Sequence, residues 1–340
     1  MASAVADNNA PARPVRLPLA FVACILGALL SLGMPYFGLP VAAGALAWLW
    51  YRGQRLATFA VAIVSGGLTF LLNPAGPLYV IPFLLIVGPL VAVLVQHRSV
   101  ATALFVSTVL MSSVWFGMVV GAASAQDMSV NGFLDSVVKT VTQPARDSIV
   151  GDTAAARDSR EQITYLETAV ARLWPAVIVI MSFFTALGTV LAVALSARAS
   201  GAVVKSPPEL DRLDLSPHVV WGLIVGGALL AADTFLGGWH GGVLGAVGEN
   251  MLRITQWVLF LQGVAVFAGL YKRAGFSPLS KAFGYVLLGI TEAFLPLVSL
   301  TGLVDMFVNV RKLPRDGVAQ VAPPPTDASG AGPEEDRFTE

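Results

Sequence analysis

Asp233, Arg253, Gln256 and Glu292 are the residues of this chain whose chemistry most needs explaining, because each falls inside or at the edge of a long apolar segment. An ionisable group in hydrocarbon costs about 2.5–3.5 kcal/mol even on a lenient insertion scale, so such groups pair, snorkel or line a polar cavity. Asp233 comes late in one apolar segment, while Glu249 and Arg253 open the next, one turn apart. Asp233 and Arg253 therefore reach similar depth and are candidates to pair across neighbouring helices. Gln256 and Gln262 continue that helix inward. Glu292 stands ~16 Å along a helix from Lys281, near the midplane and too deep to snorkel. Two readings stay open. In one, Arg253 snorkels or pairs with Glu249, Asp233 is interfacial, and Asp305 tracks Arg311 and Lys312 at the inner face. In the other, Asp233, Arg253, Gln256 and Glu292 line an outward-opening site for a small polar solute. Glu292 would then lie beside a helix break at Pro296, the placement that transporters use for binding.

Catalytic signatures do not appear. There is no Walker A loop, no HExxH, no GxSxG and no CxxC. His97, His218 and His240 fall at segment edges, and no two are spaced to share a metal. Asp233 and Asp305 differ in depth by most of a bilayer, too far to share a proton. Lys+Arg and Asp+Glu balance at 21 each, which offers no field for nucleic acid. The lone cysteine, Cys24, lies in an apolar segment and reads as a small buried hydrophobe. The expectation is a protein that is not an enzyme and that needs no metal and no cofactor.

The elements that must position these residues are membrane spans. Hydrophobic residues make up 56% of the chain and charged residues 12%, with mean hydropathy +0.74. Such a composition leaves too few charges to cover a water-facing surface. The predicted fold class is all-α: a polytopic transmembrane helical bundle of about 8–10 segments. Spans are expected at 17–33, 40–51, 56–72, 78–95, 100–122, 173–197, 218–236 and 250–271. The last stretch, 282–310, would be ~44 Å long as one helix, so a pair broken near Pro296 fits better. Residues 1–16 read as a cytoplasmic arm leading to an uncleaved first span. Residues 17–122 hold segments 1–5, and 173–310 hold segment 6 to the end.

Basic residues collect on alternate connections: Arg13/Arg16, Arg52/Arg55, Arg98, Arg198/Lys205/Arg212 and Lys272/Arg273/Lys281. That alternation implies that both termini lie in the cytoplasm. Residues 123–172 are then an outer-face insertion. Within it, Val130, Leu134, Val137 and Val141, and later Ile163, Leu166, Val170 and Leu173, recur at helical spacing. Two amphipathic helices on the outer face or capping the bundle are expected, with re-entry at Trp174-Pro175. Residues 311–340, rich in Pro, Ala, Gly and acids, read as a disordered cytoplasmic tail.

Ala23, Gly27 and Ser31 repeat at four-residue spacing, a stripe for close helix packing inside the chain or for docking another membrane subunit. Three features together resemble the YybS-like family of predicted bacterial membrane proteins. They are Glu167–Pro175 (ETAVARLWP), the spacing of spans around it, and the ending Gly302-Leu303-Val304-Asp305-Met306-Phe307 with Asn309-Val310-Arg311-Lys312. Asn309 departs from the acidic residue expected there. The family's architecture is similar to that of the S subunits of energy-coupling-factor vitamin transporters. The resemblance implies a small-solute-binding transport component, S-subunit-like, working in the lipid bilayer with another membrane subunit or an energising module. The alternative is a membrane scaffold or envelope assembly factor that recruits a partner through the 123–172 insertion.

Overall fold

The computed structural model describes residues 17–73, 77–151, 153–202, 204, 209–237 and 242–313. The expected N-terminal arm, most of the tail (314–340), Lys205 and His240 lie outside the described residues. Among those described there is no strand. The chain is all-α, as its composition requires. The helices are α1 (Leu17–Ser31), α2 (Pro35–Tyr51), α3 (Arg55–Leu72), α4 (Pro77–Pro82), α5 (Gly88–His97), α6 (Val100–Ala125), α7 (Val130–Asp147), α8 (Ala154–Ala199), α9 (Val220–Phe235), α10 (Val243–Arg273), α11 (Pro278–Phe294) and α12 (Leu297–Val308). A π turn, Phe83–Val87, joins α4 to α5.

Six of the described spans are long and apolar enough to cross a bilayer, and the bent pair α11–α12 makes a seventh. The shorter α1 and α2 add an apolar hairpin. The protein is therefore an integral membrane protein. Ser99, Ser129, Thr153 and Ser277 cap α6, α7, α8 and α11, each accepting a bond from a backbone N–H three residues on.

The described residues form two compact units. The first holds α1–α9 and α10 as far as Val258; the second holds Leu210–Pro217 and the chain from Leu259 onward. In the first, α2 packs between α1 and α8 over Leu39, Leu46, Leu49, Val190 and Val193, all essentially inaccessible. Gly27 lets α1 approach α2 closely, since a Cβ there would lie 2.6 Å from the Ala42 nitrogen. Gly27 and Ser31 are buried and Ala23 half-buried, so the small-residue stripe is taken up largely by α2 inside the chain. Polar side chains in these segments return to their own helices: Ser31 Oγ donates to the Ala28 carbonyl at 2.6 Å and Thr189 Oγ1 to the Thr185 carbonyl at 2.7 Å.

Two boundaries differ from expectation. Pro40 was expected to open a span; α2 instead starts at Pro35, and Pro40 packs inside it against Gly188 of α8. Trp174-Pro175 was expected to separate an amphipathic helix from a span. Instead α8 runs unbroken for 46 residues, ~69 Å, and its polar half carries α7 alongside.

In the second unit, α11 and α12 meet at 101°. Leu295 is extended (φ −140°, ψ 126°), as the residue before proline prefers, and Pro296 starts the new helix. The expected break is present. Gly263 and Gly302 give α10 and α12 their close approach: a Cβ on Gly302 would lie 2.6 Å from the Gly263 nitrogen.

Candidate functional site

The first unit's polar residues converge where α8 turns from amphipathic to wholly apolar. Pro175 has no N–H, so the α8 ladder is already weakened at this turn. Asn250 of α10 enters the gap. Its Oδ1 accepts the Ala176 N–H at 2.8 Å, and its Nδ2 donates to the Arg172 carbonyl at 2.9 Å and the Ala246 carbonyl at 2.8 Å. One side-chain amide thus engages both the Ala176 N–H and the Arg172 carbonyl, the two groups that face each other across this turn. A buried polar group inserted in this way keeps the helix continuous.

One turn before the proline, the Arg172 guanidinium pairs through Nε with the Glu249 carboxylate. Its Nη2 is buried and has no acceptor among the described residues. Asp233, buried near the end of α9, lies against Gly245, where an added Cβ would be 2.6 Å from Asp233 Oδ2 and 3.2 Å from Arg172 Nη2. Asp233 also accepts the Gly242 N–H at 3.4 Å. Farther up α8, Glu167 accepts the Thr142 hydroxyl at 2.6 Å and Arg146 Nη2 at 2.7 Å, tying α7 to α8. The Thr142 hydrogen bond, with Arg146 adding to it, holds the Glu167 carboxyl below the usual range against the opposing effect of burial.

These elements enclose a cleft of about 1020 Å³. Its polar edge carries Asp135, Glu167, Arg172 and Asn250; its apolar wall carries Trp174, Val247, Met251 and Ile254. Trp174 is fixed edge-to-face on Phe116 at 5.4 Å. A second cleft of about 480 Å³ lies on the other side of Arg172, lined by Glu249, Arg253, Gln256 and Tyr165.

Of the four expected site residues, the structure brings three into this unit. Arg253 and Gln256 share the smaller cleft, and Arg253 Nη1 donates to Gln256 Oε1 at 3.2 Å. Asp233 packs under Arg172 and Gly245 instead of pairing with Arg253. Glu249 takes Arg172 and not its own helix neighbour Arg253. Glu292 belongs to the second unit. There its carboxylate accepts the Ser299 N–H at 3.1 Å and the Ser299 hydroxyl, capping the first turn of α12. Asn250 and Arg172 were not singled out from the sequence. The signal available was a proline inside an amphipathic-to-apolar transition, which needs a partner from elsewhere.

A profile of the DUF2232 family, described as a predicted membrane protein, matches residues 19–306. The chain belongs to the DUF2232 family of predicted membrane proteins. Searches of curated proteins and of solved structures found no match.

The ending that carries the YybS-like resemblance, matched by the profile as far as residue 306, has a structural basis. Asp305 is fully buried and accepts Arg311 Nε at 3.0 Å and Nη2 at 2.8 Å. Arg311 Nη1 donates to the carbonyls of Asp211 and Leu213, at 2.9 and 2.8 Å. Gln262 joins the group through Asp305 and Asp214, at 3.0 and 3.2 Å. Arg311 was expected to open a disordered tail; it is instead 6% exposed, a structural residue that fastens the chain to 210–217. Beside it, burial opposes the charge of Asp211, but the Lys272 ammonium at 3.1 Å outweighs this and lowers its pKa. Asn309 adopts the left-handed conformation (φ 50°) and closes α12, which explains an amide at this position. Its Oδ1 and Nδ2 both bond the backbone of Leu313 at 2.8 Å. No group of three or more His, Cys, Asp or Glu fit to hold a metal occurs among the described residues.

Proposed function

We propose that the chain is the solute-binding component of a transport system in the bacterial inner membrane, taking a small molecule from outside into the cleft among α7, α8 and α10. The observation that carries this reading is the cleft itself. Its volume of about 1020 Å³ is at the upper end of pockets that hold small ligands, about 300–1,000 Å³. It combines an apolar wall with a few convergent polar groups, the usual make-up of a binding site. Arg253 and Gln256 extend the polar surface on the far side of Arg172.

The direction of uptake follows from the basic residues. Arg52, Arg55, Arg98, Arg198, Lys272 and Arg273 occupy alternate connections, which favours cytoplasmic termini and a cleft that opens outside. Energy would come from separate subunits, in the manner of the S subunits that the family resembles. No step in this reading calls for catalysis, a metal or a cofactor.

Native mass spectrometry of the gently solubilised full chain tests it. A stoichiometric small molecule, or an ATPase module with its membrane coupler, is the expected result. Lipid and envelope-assembly proteins alone would overturn it. That outcome would favour a scaffold, a second reading supported by the exposed apolar residues Val137 and Val141 of α7 and Tyr165 and Leu166 of α8.

A further inference from the structure

We propose that the groove where α10 gives way to α11 holds an acyl chain of an anionic phospholipid, with the lipid's phosphate drawn to Arg273 and Lys281. This site is separate from the cleft of the first unit and does not depend on solute binding there.

The groove argues for a chain. It encloses about 570 Å³ and is lined by Tyr271, Phe276, Leu279, Phe283, Gly284 and Leu287, all within the second unit. Ser280 completes the lining, its hydroxyl already bonded to Ser277 at 2.9 Å. Gly284 lets the Tyr271 ring lie against α11, since a Cβ there would come 2.6 Å from Tyr271 Oη. Phe276 stacks on the same ring at 5.1 Å, which makes that wall a stiff aromatic one. The other side is open: Leu279, Phe283 and Leu287 are 82%, 63% and 45% exposed. Leu279 to Leu287 spans ~12 Å of helix, most of the ~15 Å of hydrocarbon in one leaflet.

The charges argue for an anionic headgroup. The acids at this end of the unit are already engaged, Asp211 by Lys272 at 3.1 Å and Asp214 and Asp305 by Arg311 at 3.6 and 2.8 Å. Arg273 is exposed, and its Nη2 donates at 2.9 Å to a neutral group, the Arg311 carbonyl, which leaves its charge uncancelled. Lys281 is half-buried and makes no ion pair among the described residues. The two flank the groove in sequence, three residues before Phe276 and two after Leu279. Water solvates such charges but leaves the surplus in place. A lipid phosphate neutralises it, at the depth where basic side chains meet headgroups. A second copy of the chain would bring the same positive surplus against it.

Native mass spectrometry tests this on the full chain, released from nanodiscs of equimolar phosphatidylglycerol and phosphatidylethanolamine with identical acyl chains. One phosphatidylglycerol is expected to stay bound, with a preference of five-fold or more. Arg273→Gln and Lys281→Gln are each expected to weaken its retention about five-fold, the worth of one basic side chain at an anionic surface, and Lys281→Arg to keep it. Leu287→Trp, which blocks the deep end of the groove and leaves every charge in place, is expected to weaken retention at least ten-fold. Arg98→Gln removes an exposed basic residue of the first unit and should change nothing. Helix content is compared to confirm that each variant is folded.

Equal retention of the two lipids, or a preference unmoved by the Arg273→Gln, Lys281→Gln double variant, would overturn the proposal. A preference that survives Leu287→Trp would also overturn it, because charge without the groove would then suffice. So would release as a lipid-free dimer, which would give the groove to a second copy.

Discussion

Asn250 accepts the backbone N–H of Ala176 at 2.8 Å, and so braces α8 from another helix beside Pro175. The same amide returns a hydrogen to the Arg172 carbonyl. One side chain therefore engages both ends of the helical turn that spans Pro175. The α8–α10 contact is specified by hydrogen-bond geometry as well as by apolar fit.

Asn250→Ala is expected to leave the Ala176 N–H and the Arg172 carbonyl without partners in a buried setting. The loss is about 1–3 kcal/mol for each orphaned group. Asn250→Asp keeps the acceptor for Ala176 but sets a carboxylate oxygen against two carbonyls, and should be at least as damaging. Denaturant titration of the purified protein in mild detergent, followed by helix content, measures both.

Arg311→Ala leaves the carboxylate of Asp305 buried and uncompensated, an imbalance that typically costs about 3–5 kcal/mol. Replacing both with apolar residues, Asp305→Leu with Arg311→Met, should recover much of that loss. The cycle is measured by the same titration; a double variant no more stable than Arg311→Ala would refute the pairing.

Gly302→Val would drive side-chain atoms into the α10 backbone near Gly263, where even a Cβ would come within 2.6 Å of the nitrogen. Because backbone cannot yield as a flexible side chain does, a loss at or above the usual 1–3 kcal/mol of overpacking is expected. Gly289→Val, with open space around its Cβ position, is the control and should cost nothing, because Val is no worse than Gly in a helix interior. Thermal unfolding midpoints compare the two.

The α7–α8 arm should respond to acid through Glu167. Its carboxyl is held below the usual value by Thr142 first and Arg146 after, against burial. A group whose folded pKa is depressed contributes its stabilisation above the ordinary carboxylate value and loses it as pH falls through the depressed folded value. The arm should stay closed at neutral pH and loosen only in the acid range, and Glu167→Gln should flatten that response. Spin-label distances between Lys139→Cys and Tyr165→Cys, taken across the pH series in a Cys24→Ala background, provide the check.

Much of the scaffold was legible because hydrocarbon imposes simple demands. Long apolar runs mark the spans, and Pro296 marks the break between α11 and α12. Pro175 misled because a proline reads locally as an interruption, whereas its repair comes from Asn250, 75 positions later in the chain. Glu249 was legible as a group needing a cation, but proximity in sequence pointed to Arg253 when packing supplies Arg172. Glu292 was read as too deep to snorkel; the structure gives its carboxylate the open first turn of α12, a need created by the very break that the sequence indicates. Arg311 was placed at the head of a solvated tail although one reading already set Asp305 beside it; what the sequence did not show is that the pair is buried.

The uninterrupted run of α8 has a mechanical consequence. From Pro175 back to Ala154 the helix projects ~32 Å, a lever whose pivot forms part of the cleft wall. A change in bend of about 10° at that pivot, within the range that helices absorb at proline, swings the far end by ~5–6 Å, about the pitch of one helical turn. Displacements too small to notice at the Asn250 amide become large at Ala154.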